Sequence, residues 1–320
     1  MLKNITTHLI AGPLGAGKTT LLRQLMQQRP EHERWGILIN EFGQVGVDAA
    51  LLKSQADGIA LAEVPGGCLC CVNGLPFQVG LGRLLRKSLP DRLFIEASGL
   101  GHPLNLQEQL AAPPWRGVLA LQPLVMVLDA QRLAAGEPLP EAQQLALPAA
   151  GLVLLNKSAG LDESTRAALL QHLPADCYWC EEANVPLNQL PTVVLTPEPP
   201  LAELPPLAPA PLTSLWRSVE VWHCHSQQLD AHYSIGWRMH PAQLFNLTRL
   251  QHWLGSVPWL RAKGVVHTDQ GWMAFNALPD QPLNWQPSDW RQDNRVELIN
   301  DHALSPADLE RGLRAAGSCD

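Results

Sequence analysis

Gly12-Pro13-Leu14-Gly15-Ala16-Gly17-Lys18-Thr19 decides how the rest of this 320-residue chain is read. The octapeptide fits the pattern G-x-x-x-x-G-K-[ST], an apolar run ending in Leu9-Ile10-Ala11 precedes it, and Leu21, Leu22, Leu25 and Met26 follow at helical spacing. Strand, glycine-rich turn and helix in that order form a cradle for phosphate. Glycines let backbone N–H groups face an anion with no Cβ in the way, and the start of a helix adds partial positive charge. Lys18 is expected on the β- and γ-phosphates of a nucleoside triphosphate, and Thr19 on Mg²⁺. The nucleotide-contacting set around the turn is Gly12, Gly15, Ala16, Gly17, Lys18, Thr19 and Thr20.

Working outward, short apolar runs alternate with amphipathic stretches up to about residue 195: THLIAG (7–12), WGILIN (35–40), RLFIEA (92–97), PLVMVLDA (123–130) and GLVLLN (151–156). This alternation predicts an α/β fold, a P-loop NTPase parallel sheet flanked by helices. Between Pro191 and Pro211 eight of twenty-one residues are proline, which cannot supply the amide donors of a sheet interior. Beyond that stretch the composition shifts, with eight of the eleven tryptophans and seven of the eleven histidines between Trp216 and His302. The expected division is a nucleotide-binding domain over 1–195, a Pro-rich linker over 196–212 and a smaller α+β domain over 213–320. In the last, SVEVWHCH (218–225), AKGVVHT (262–268) and GWMAFNA (271–277) read as strands, around a helix from about Pro241 to Leu254.

The 23 Lys and Arg against 30 Asp and Glu leave a net charge of −7, which disfavours nucleic acid and anionic membrane as partners. No segment runs 18 residues without Gln, Pro or a charge, and MLKNITTHLIAG is a poor secretory signal, so a cytoplasmic location is expected. Three of the seven cysteines crowd into Cys68, Cys70 and Cys71, too close for a disulfide framework. Three soft ligands beside Gly66 and Gly67 suit a transition-metal ion. Neighbouring Cys70 and Cys71 project oppositely from an extended chain, so a tetrahedral site takes some of the three and a further ligand, for which Glu41 is a candidate. Buried inert thiols and a redox pair are the alternative readings of the same spacing. Glu41 and Asp48 follow the second predicted strand, near the expected ligand crevice, and Glu96 ends another strand where a Mg²⁺-binding carboxylate would stand.

GPLGAGKTT, NEFGQVGVD, GGCLCC and IEASGLGHP, in that order within the first 103 residues, resemble the CobW-like metallochaperone GTPases. PGGCLCCVNGLPFQVGL and DRLFIEASGLGHP look most like the YeiR-type zinc-binding branch, and the C-terminal part is also similar to that family's second domain. The resemblance implies a Mg²⁺-dependent GTPase that converts GTP to GDP and phosphate. It implies Zn²⁺ or a similar ion at Cys68, Cys70 and Cys71, nucleotide state coupled to metal handling, and a client metalloprotein as partner. It assigns Lys18, Thr19, Glu41, Asp48 and Glu96 to the nucleotide and metal machinery, with Gly99, Asn156 and Lys157 among the nucleotide contacts. A homo-oligomer is compatible with it, and a zinc store or sensor using nucleotide as a structural ligand is the alternative.

One position departs from the family pattern. Asn156-Lys157-Ser158-Ala159 stands where a GTPase has Asn-Lys-x-Asp, and Ala159 has no carboxylate for the guanine edge. A hydrogen bond to a charged group is worth about 1.5 to 3 kcal/mol, so guanine preference is expected to fall by about one to two powers of ten unless another group, such as Asp162, substitutes. His223, His225 and His232 match no fixed metal-ligand spacing and read as solvated or structurally bonded. Cys177 and Cys180 have a CxxC spacing on a predicted strand, which lacks the helix start that makes such a thiol reactive.

Overall fold

The computed structural model describes residues 2–40, 58–64, 75–173, 176–193, 218–229, 232–279 and 282–317. The chain divides into two compact units. The first alternates β1 (Ile5–Ala11), α1 (Lys18–Met26), β2 (Trp35–Asn40), β3 (Ile59–Val64), α2 (Leu75–Ser88), β4 (Arg92–Glu96), α3 (Pro103–Ala111) and β5 (Leu119–Leu121). It continues through β6 (Leu124–Asp129), α4 (Ala130–Ala134), α5 (Glu141–Ala146), β7 (Ala150–Asn156), α6 (Glu163–Leu170) and β8 (Cys177–Trp179). All five apolar runs singled out in this part of the chain are strands.

Every pairing among these strands is parallel, in the order β3-β2-β4-β1-β6-β7-β8, with β5 added beside the start of β1. Parallel strands are covered by helices on both faces, which explains runs that are largely apolar rather than alternating. All six residues of β6 are buried, and Leu9, Leu38, Ile95, Met126 and Val153 join one continuous core. The chain moves from β1 towards β3 on one side and towards β8 on the other. The C-terminal end of β1 is therefore the point where strand order reverses, the usual position of a ligand crevice in such sheets. Gly12 to Thr19 begins there.

The second unit holds β9 (His223–Leu229), β10 (His232–Met239), α7 (Leu247–Ser256), β11 (Arg261–Thr268), β12 (Gly271–Ala277), β13 (Gln286–Pro287), β14 (Asn294–Asn300) and α8 (Pro306–Ala315). Its sheet is antiparallel throughout, ordered β13-β12-β11-β14-β10-β9. Ile235, Trp237, Val296 and Leu298 pack with Trp253 and Leu254 of α7 and Leu309 and Leu313 of α8. On strand positions that alternate with these, Lys263 and Glu297 form a fully buried ion pair at 3.3 Å, and Ser234 Oγ donates to Glu297 at 2.8 Å.

Two expectations need correction here. The strand expected from Ser218 begins at His223, and the helix expected from Pro241 begins at Leu247. The Asn246 side chain accepts the Arg249 N–H at 3.0 Å, and Asp269 accepts the Leu247 N–H at 3.1 Å, so the acceptors that cap the first turn lie six residues later than the apolar pattern suggests. Among the described residues no helix is long and apolar enough to cross a membrane.

Candidate functional site

Gly12, Gly15 and Gly17 hold φ values of 142°, 77° and 111°, so the turn after β1 curls in a conformation that side chains resist. At Gly17 a Cβ would also lie 2.3 Å from Asn156 Nδ2, leaving no room for a substituent. Ala16 is buried, Lys18 and Thr19 open α1, and Thr20 follows in its first turn. Lys18 Nζ folds back to donate to the carbonyls of Gly12 at 2.9 Å and Pro13 at 3.0 Å. The ammonium thus sits over the loop whose N–H groups would receive a phosphate.

Thr19 Oγ1 lies 3.0 and 3.2 Å from the two carboxylate oxygens of Glu96 and donates to that carboxylate. Glu96 is the last residue of β4, next to β1 in the sheet, and is only 4% exposed. A hydroxyl and a carboxylate converging at the start of this helix are oxygen donors of the kind a hard divalent cation takes. Gly99 packs on the same loop, where a Cβ would meet the Leu14 backbone nitrogen at 2.8 Å.

The far side of the loop is braced from β7. Asn156, 2% exposed, donates through Nδ2 to the Ala16 carbonyl at 2.8 Å and accepts the Ala183 N–H on Oδ1 at 2.8 Å. Lys157 pairs with Asp129 at 2.6 Å, and Asp129 also caps α4 by accepting the N–H groups of Gln131 and Arg132, each at 3.1 Å. Ala159 has no side-chain acceptor, but its N–H donates to the Glu181 carboxylate. Asp162 is already used as a helix cap, accepting the Thr165 N–H at 2.7 Å and the Ser164 hydroxyl at 2.8 Å. Those hydrogen bonds, led by the Thr165 backbone, hold its carboxyl below the usual carboxylate range. No motif spacing pointed to Glu181. It reaches Ala159 only because β8 pairs with β7.

Of the expected residues, Lys18, Thr19, Glu96, Gly99, Asn156 and Lys157 gather around this loop. Glu41, Asp48, Cys68, Cys70 and Cys71 lie outside the described residues. Among the described residues no group of three or more His, Cys, Asp and Glu side chains is placed to hold a metal. His223 and His225 stand opposite Arg238 and Gly236, whereas His232 lies four residues from Gly236 along β10, about 13 Å at strand rise. Burial, aided by Arg238, lowers the His225 pKa. Neither Cys177 nor Cys180 is in a disulfide, and burial followed by the Glu181 charge pushes Cys180 up to about 12, the opposite of an activated nucleophile.

The family model described as the CobW/HypB/UreG nucleotide-binding domain matches residues 6–177, and that of the cobalamin synthesis protein cobW C-terminal domain matches residues 234–317. The zinc chaperone YeiR of Escherichia coli is 33% identical over 315 residues, covering 92% of either chain. The zinc chaperones CobW of Sinorhizobium and of Pseudomonas aeruginosa are 34% and 32% identical. The alignments cover 50% and 54% of this chain, and 52% and 55% of theirs.

Proposed function

The chain belongs to the CobW/HypB/UreG family, and from that premise we propose that it is a zinc-handling metallochaperone GTPase. In this reading it hydrolyses GTP to GDP and phosphate and passes its ion to a client metalloprotein. The observation that carries the reading is the Thr19–Glu96 pair at the mouth of a phosphate loop, placed where the parallel sheet changes direction. Lys18 holds the β- and γ-phosphates together with the loop N–H groups, and Asn156 keeps the loop braced from behind. Thr19 and Glu96 hold Mg²⁺, which when bound neutralises charge on the phosphoryl oxygens.

The zinc reading rests on Cys68, Cys70 and Cys71, with Glu41 as a further ligand, and on relatives named zinc chaperones. The stretch that holds Glu41 and Asp48 follows β2, and the cysteine stretch follows β3. β2 and β3, which precede these stretches in sequence, lie parallel in the sheet that also holds β1, and coupling of ion and nucleotide occupancy belongs to the same proposal. The division into 1–195, 196–212 and 213–320 belongs to the same proposal.

Phosphate release from GTP, measured with and without stoichiometric Zn²⁺, tests it. Lys18→Ala should reduce release to background, and Zn²⁺ should change the wild-type rate. A protein whose GTP turnover survives Lys18→Ala is not the enzyme described. One whose Zn²⁺ affinity is the same with GDP and with a GTP analogue lacks the coupling.

A further inference from the structure

Guanine differs from adenine in the N1–H and N2 amine on its pairing edge, donors that one carboxylate can accept together. The Asn-Lys-x-Asp pattern supplies that carboxylate from its fourth position, which here is Ala159. We propose that Glu181, delivered from the loop after β8, reads the guanine edge in its place. The inference rests on the nucleotide reading above and adds the residue that sets base selectivity.

The geometry is specific. Glu181 accepts the Ala159 backbone N–H, so its carboxylate stands beside the backbone of the position that lacks one. The loop that carries it is tied to β7 along its length. Cys180 N donates to Leu155 O at 3.0 Å, and Ser158 donates to Cys180 O through its N–H at 3.4 Å and its hydroxyl at 3.2 Å. Ala183 N donates to Asn156 Oδ1, and the same Asn156 side chain holds the Ala16 carbonyl of the phosphate loop. Glu182 and Ala183 take φ values of 49° and 50°, so the chain turns back sharply just after Glu181. Phosphate loop, Asn156 and Glu181 thereby share one hydrogen-bonded frame, while Glu181 itself stays exposed and open to a ligand.

Two other carboxylates of this region are engaged elsewhere. Asp129 is held by Lys157 and the start of α4, and Asp162 caps α6. A single substitution separates reading from mere proximity. Glutamine at position 181 keeps size but offers one acceptor where the carboxylate offered two, and its amide N–H suits a carbonyl at C2. Xanthine has that carbonyl where guanine has the amine.

The experiment is calorimetric titration of the full chain with GDP and xanthosine diphosphate. Glu181→Gln should weaken GDP binding by about ten to a hundredfold and tighten xanthosine diphosphate binding, with the circular dichroism spectrum unchanged. Glu182→Gln and Asp162→Ala should leave the ratio of the two affinities as in the wild type. If the Glu181→Gln ratio stays within about twofold of wild type, or if Asp162→Ala moves it instead, Glu181 is not the reader. The Lys18→Ala control keeps the two failures apart. Lys18-dependent GDP binding that ignores residue 181 overturns only this inference, whereas wild-type protein with no such binding overturns the nucleotide reading and this inference together.

Discussion

Acidification from pH 7.5 to 5 should remove about 2 kcal/mol of stability from the parallel-sheet unit through one residue, His8. His8 lies in the middle of β1, fully buried and stacked on Phe94 with ring centroids 5.4 Å apart. Arg92 Nη1 sits 3.2 Å from its Nε2, which therefore accepts, and leaves the proton on Nδ1, which has no hydrogen-bond partner. Burial, with the Arg92 charge second, lowers the His8 pKa from 6.5 to about 4. The folded state thus binds fewer protons than the unfolded chain between those values. The contribution is complete above pH 6.5 and is lost as pH falls towards 4. A shift of 2.5 units corresponds to about 3.4 kcal/mol over the whole window at 1.36 kcal/mol per unit, and to about 2 kcal/mol by pH 5. Urea unfolding of wild type and His8→Leu at the two pH values isolates this term, because the other titrating groups are common to both proteins. The variant should lose about 2 kcal/mol less than wild type on acidification. Equal losses would mean that His8 is not held neutral by its surroundings, and the reasoning would fail.

Other substitutions probe the remaining polar interior. Asn156→Ala strands the Ala16 carbonyl and the Ala183 N–H and removes a weak acceptor of the Cys180 thiol, so stability should fall by about 2 to 4 kcal/mol; an unchanged thermal midpoint would mean that the brace is not needed. Cys180, with a pKa of about 12, has about one thiolate in ten thousand at pH 8 and should resist a thiol reagent that modifies it at once in urea; rapid native-state labelling of Cys180, read by peptide mass, would contradict its environment. Lys263→Met leaves the Glu297 charge buried and should lower stability by about 3 to 5 kcal/mol, much of which Glu297→Leu in the same chain should restore. A double variant as unstable as the single one, measured by urea unfolding, would show that the pair's charges are not what matters there.

What the sequence made legible follows from which interactions are local. β1, β2, β4, β6 and β7 are readable because a strand covered on both faces must be apolar at nearly every position, and the phosphate loop is readable because eight consecutive residues contain its whole geometry. β10 and β14, central to the second sheet, carry Arg238, Arg295 and Glu297, and charges ordinarily mark exposure. Here Asp293 bridges to both arginines and Lys263 neutralises Glu297 from the neighbouring strand, so Arg295 and Glu297 are buried and a one-strand pattern misleads. The candidate site divides the same way. Lys18, Thr19 and Glu96 announce themselves by motif and strand end. Asn156 can be named from its motif, but its work as a brace depends on Ala16 and Ala183, 140 and 27 residues away in sequence. Glu181 depends wholly on the β7–β8 pairing. A carboxylate supplied across strands leaves no spacing signature, so the loss of an acid from a motif in one sequence does not by itself establish the loss of its chemistry.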